Sequence, residues 1–147
     1  MSLHHAIILA AAGAAAALLH GQVLAQADGA KAPPVGIKGY DPVAYFTDGR
    51  PVKGAPSINY DFDDSRYLFS NAQHRRAFAG SPTRYEPQFG GLCATGIAFD
   101  KKVESDPEQW AIVGGKLYLF SSVEAREMAQ QDPALLERAR HTAAARR

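Results

Sequence analysis

The chain has 147 residues, and its 16 Lys and Arg stand against 15 Asp and Glu for a formal charge of +1. That balance gives no electrostatic ground for binding nucleic acid or an acidic membrane surface, and the length suits one domain once a leader is set aside. Its single cysteine, Cys93, cannot form an internal disulfide, so stability has to come from the core.

The N-terminus reads Met1-Ser2-Leu3-His4-His5, followed by an almost unbroken apolar run from Ala6 to Leu19. The run is shorter than the roughly 20 apolar residues of a spanning helix. It matches the h-region of a secretory signal, and Ala25-Gln26-Ala27 supplies the cleavage pattern. The n-region lacks Lys and Arg, which leaves an uncleaved anchor as the alternative. The sequence therefore predicts a signal peptide over 1–27 and an exported, periplasmic or extracellular product without stable membrane insertion after cleavage. Removing it also removes His4, His5 and His20, and leaves His74, His141, Cys93 and Met128 as the soft or imidazole ligands.

Residues 28–38, with Pro33-Pro34, read as a linker. Val43-Ala44-Tyr45-Phe46 is a short apolar strand candidate, closed by Thr47-Asp48-Gly49. Ile58 to Phe62 alternates strictly, as a half-buried strand does, and Asp63-Asp64-Ser65 turns it back into Arg66-Tyr67-Leu68-Phe69. Ser70 to Gln73 fits a capping box opening a helix from about Asn71 to Ala79, stopped by Gly80 and Pro82. Asp41, ahead of Pro42, is expected to organise a turn. The grammar then returns. Trp110 to Val113, the Gly114-Gly115 turn and Lys116 to Phe120 form a hairpin, and Ser121 to Glu124 caps a helix toward Gln130. Asp132-Pro133 opens a last helix, and the tail 141–147 is expected to fray.

Sliding the chain by 51 residues lays Tyr67-Leu68-Phe69-Ser70 on Tyr118-Leu119-Phe120-Ser121 and pairs Pro82 with Pro133. The predicted class is therefore α+β: two β-hairpin–helix units forming a small antiparallel sheet, with helices packed on one side, over residues 39–140.

With these elements placed, the chain resembles the YHS domain family, in its exported branch with a C-terminal extension. The residues that carry the resemblance are Gly39-Tyr40-Asp41-Pro42-Val43-Ala44-Tyr45-Phe46, Tyr67-Leu68-Phe69-Ser70, Phe78, Pro82 and Tyr85. Gln88-Phe89-Gly90-Gly91-Leu92-Cys93-Ala94, Asp106-Pro107 with Trp110, and Gly115 to Leu119 extend it over residues 39–120. The resemblance implies a small α+β domain associated with metals. In metal-binding members of the family, cysteines stand where this sequence has Ala44, Ser70 and His74. Only His74 keeps ligand chemistry, so the family's thiolate site does not carry over.

Several readings stay open for the remaining chemistry. Cys93, after two glycines, reads first as a small buried hydrophobe. It is otherwise a soft-metal ligand or a reactive thiolate, which requires access and a nearby cation or imidazole. His74, followed by Arg75 and Arg76, reads as a solvated surface histidine unless it shares a site with Cys93. The expectation carried forward is an exported, non-catalytic YHS-type binding module. Cys93 and His74 are its candidate metal ligands, and a soft transition metal such as copper is the specific occupant. The alternatives are a thiol-dependent enzyme using the same two residues, and a structural or partner-binding domain without a small ligand.

Overall fold

The computed structural model describes Gly29 and Lys31–Arg147, and Lys31–Arg147 form one compact unit. The predicted signal peptide and its cleavage point lie outside the described residues.

Two antiparallel hairpins frame the domain, each a separate two-stranded sheet. β1 (Ala55–Phe62) pairs with β2 (Ser65–Phe69), and β3 (Asp106–Val113) pairs with β4 (Lys116–Phe120). They turn at Asp63-Asp64 and Gly114-Gly115, as the sequence predicts. Short helices α1 (Ala44–Thr47) and α4 (Ala94–Ala98) precede the hairpins. α2 (Ala72–Gly80) and α5 (Val123–Gln131) follow them. α3 (Pro82–Tyr85) links the halves, and α6 (Ala134–Ala145) closes the chain. The class is α+β, built on two hairpin–helix units.

The internal echo reaches further than the sequence pattern suggests. Every bound of β1, β2 and α2 maps onto β3, β4 and α5 at a shift of 51. Even the register irregularity repeats, between Ala55 and Asn59 and between Asp106 and Trp110. Upstream the shift becomes 52. The turn Gly36–Gly39 matches Gln88–Gly91, with left-handed backbone at Ile37-Lys38-Gly39 and at Phe89-Gly90-Gly91. Asp41 N–H donates to Val52 O at 2.8 Å, and Cys93 N–H donates to Val103 O at 2.9 Å. The extra residue of the first copy therefore lies in the loop after α1. The domain is two copies of one unit, a first repeat over about 34–85 and a second over about 86–136.

Four local expectations are corrected. Val43 to Phe46 is helical, not a strand, because the Asp41 carboxylate accepts from the Val43 and Ala44 amides and nucleates a turn. A short apolar run cannot by itself distinguish the two. The helix caps sit one residue later than the boxes imply: Asn71 Oδ1 accepts from His74 N–H at 2.8 Å, and Ser122 Oγ accepts from Ala125 N–H at 3.1 Å. The linker ends before residue 38, since Arg66 N–H donates to Pro34 O at 2.9 Å and Ile37 is buried. The tail does not fray. α6 runs to Ala145, with Leu135, Leu136 and Ala139 buried and Arg146 paired with Asp100.

β4 is the spine of the core. All of Leu117, Tyr118, Leu119 and Phe120 are buried, and a strand alternates its side chains between faces. Tyr118 and Phe120 join Ala94, Ile97 and the α6 leucines. Leu117 and Leu119 join Tyr45, Tyr67, Phe69 and Phe78 of the first repeat. Tyr45 strengthens the junction: its hydroxyl donates to Pro107 O at 2.9 Å, and its ring meets Trp110 edge-on at 5.3 Å. Among the described residues no helix is long and apolar enough to cross a membrane.

Candidate functional site

A buried carboxylate organises the polar end of the first repeat. Asp41 is fully buried at the start of α1, where an uncompensated charge would be costly. Its oxygens are therefore fully engaged. Oδ1 accepts from the Val43 and Ala44 amides. Oδ2 accepts from Ser70 N–H at 2.9 Å, from Ser70 Oγ at 2.8 Å and from His74 Nδ1 at 2.7 Å. The carboxylate ties α1, the end of β2 and the first turn of α2 together, which is why Ser70 follows the strand instead of capping the helix.

His74 is placed by the same contacts. It is buried, not solvated as its neighbours Arg75 and Arg76 suggest, and its backbone N–H is fixed by the Asn71 cap. Because a carboxylate at Asp41 can only accept, Nδ1 carries the proton toward it and Nε2 is the ring position that faces the rim. Nε2 lies 3.2 Å from Thr47 Oγ1 and 3.7 Å from Asp48 Oδ1, at a rim where Thr47 and Asp48 are exposed. Thr47 Oγ1 also bonds Asp48 Oδ1 at 2.9 Å and Val43 O at 3.2 Å. Asp41, His74 and Thr47 thus follow one another in the order carboxylate, imidazole, hydroxyl. That hydroxyl has one proton, for which Val43 O and Asp48 Oδ1 compete with Nε2, and Asp48 stands beside the ring nitrogen that would have to act as base. The arrangement is better suited to holding an electrophilic ligand at Nε2 than to activating Thr47.

Cys93 is elsewhere. It occupies the second repeat at the place equivalent to Asp41, buried among Ala94, Ile97, Tyr118 and the α6 leucines. Its Sγ accepts from Gly96 N–H at 3.4 Å, a sulfur version of the Asp41 cap. Ala125 stands where the first repeat has His74, so this position lacks an imidazole partner. Among the described residues no hydrogen bond joins Cys93 to His74, and each belongs to a different repeat. Nor do the family's metal positions fit: Ala44 has no ligand atom, and the Ser70 hydroxyl is donated to Asp41. Among the described residues no three His, Cys, Asp or Glu side chains gather as a metal-holding group. His141 is exposed on α6 beside Glu137, and Met128 is exposed on α5, not core as its apolar character suggests.

No protein family, curated protein or solved structure matches the chain. Asp41, Thr47 and Asp48 are the site residues that sequence reasoning missed. The Asp-Pro turn pointed to Asp41 as an organiser, but nothing local announced a histidine 33 residues away as its partner.

Proposed function

We propose that the chain is an exported, non-catalytic binding module of the YHS kind, with His74 as its ligand-facing group and a divalent transition metal as its occupant. The observation that supports this reading is the 2.7 Å contact between His74 Nδ1 and the buried Asp41 carboxylate. Metal-ligating histidines typically donate their other ring N–H to a carboxylate, which fixes the tautomer and raises ligand basicity. His74 Nε2 and Asp48 then supply an imidazole and a carboxylate, with solvent or a partner's groups completing the shell. That donor set suits copper(II), zinc or nickel, whereas monovalent copper would favour the Cys93 thiolate.

Titration of the purified protein with copper(II) and zinc, followed by calorimetry, tests it. His74→Ala should abolish binding, Asp48→Asn should weaken it about tenfold or more, and Cys93→Ser should leave it unchanged. Binding that survives His74→Ala rejects the site. Loss of binding in Cys93→Ser instead would restore the pairing of Cys93 with His74.

A further inference from the structure

A cleft lined by none of the His74 site residues lies between the tip of the first hairpin and α6, with a volume of about 900 Å³. It is made by the two features that break the repeat. The hairpin tip is Asp63-Asp64 in the first copy and Gly114-Gly115 in the second, and α6 has no long counterpart after α2. The hairpin side carries Asp63, Asp64 and Glu86 with Lys116 near Glu86; the other side carries Lys102, Arg140, Arg147 and Arg146, the last paired with Asp100. Phe89 and Leu92, both partly buried, form an apolar floor over the buried Ile97.

These charges are only partly satisfied within the chain. Arg140 is held by Tyr118 Oη and Glu137. Among the described residues no ion pair within 4.0 Å involves Asp63, Asp64, Glu86, Lys102 or Arg147. Partial burial and then the Asp63 carboxylate raise the Glu86 pKa, and Lys116 only partly opposes them. Burial and the Glu86 carboxylate push the Tyr67 hydroxyl up to about 12. At the acidic end three carboxylates thus face the single cation Lys116, while the far end offers Lys102 and Arg147. The apolar floor between them would desolvate the body of a ligand, and the volume falls within the range of about 300–1,000 Å³ usual for ligand sites.

We infer that this cleft binds a short zwitterionic peptide, with its ammonium group at Asp63 and Glu86, its carboxylate at Lys102 and Arg147, and an apolar side chain on Phe89 and Leu92. The inference is independent of the His74 site.

The tripeptide Ala-Phe-Ala with free ends is the probe, titrated into the purified protein and followed by NMR shift changes and calorimetry. Saturable binding with a Kd below about 1 mM is expected, with shifts centred on Phe89 and Leu92. Acetylating the amine or amidating the carboxylate should each weaken it at least tenfold. Glu86→Gln should weaken the free-amine peptide and leave the acetylated one unaffected, and Lys102→Ala with Arg147→Ala should do the reverse for the carboxylate. His74→Ala should change nothing, which separates this test from the metal titration. No saturation, or binding indifferent to both blocking groups, overturns the proposal.

Discussion

Asp41 and Cys93 stand at equivalent places in the two repeats, each after a left-handed turn and ahead of a short helix, and each hydrogen-bonded through its N–H to a Val carbonyl. Their surroundings have diverged. Around Asp41 the first repeat gathers Ser70 and His74. Around Cys93 the second repeat has Ala125 in the histidine's place, and α6 covers the apolar cluster that results. The same backbone therefore holds a polar hub in one copy and a plain core in the other. The local cap needs only an acceptor, which a carboxylate or a sulfur can supply. The rest is decided by whichever side chain the following helix delivers.

The hub is where this comparison can be broken most sharply. Asp41→Ala would strand His74 and the Ser70 and Val43 amides without their shared acceptor. It should cost about 3 kcal/mol or more, since several buried donors lose their acceptor at about 1–3 kcal/mol each. Cys93→Ala at the equivalent place removes only a small buried group and should cost about 1 kcal/mol. Urea unfolding of the two variants measures the contrast, and equal losses would mean that the polar hub contributes no more than ordinary packing.

A second contrast lies along the strands. Leu117 is buried in the first repeat's cluster, whereas its counterpart Arg66 makes a partly exposed ion pair with Asp61. Leu117→Ala should lose about 2–5 kcal/mol as a core truncation. Arg66→Ala should change little, since pairs of this exposure are screened by solvent. A small effect at Leu117 would contradict the view that β4 joins the two cores.

The caps should be the smallest difference and the most even one. Asn71 and Ser122 make the same bond at the same place, so replacing either by Ala should lower stability by about 1 kcal/mol. Thermal unfolding that responds to one and not the other would mean that the two helices do not form equivalent parts of the fold.

Much of this architecture was legible in the chain itself. Alternation over Ile58–Phe62, the turn residues at 63–64 and 114–115, and the polar residues after each second strand specified the hairpins, the helices and the α+β class, because these are short-range preferences of backbone and side chain. The shift of 51 was readable for the same reason. What local pattern could not settle was the state of Val43 to Phe46, the one-residue move of the caps and the continuation of α6. In each case a distant or neighbouring group supplied the deciding hydrogen bond or burial. The candidate site was legible only in part. His74 was singled out as the surviving ligand residue, but its partner was sought in Cys93, the only thiol. The tertiary structure instead gave it Asp41, 33 residues earlier, and placed Cys93 in the other repeat's core. A sequence lists which side chains can bind, but a buried carboxylate chooses its partners only where the packed chain leaves its oxygens no water to accept from.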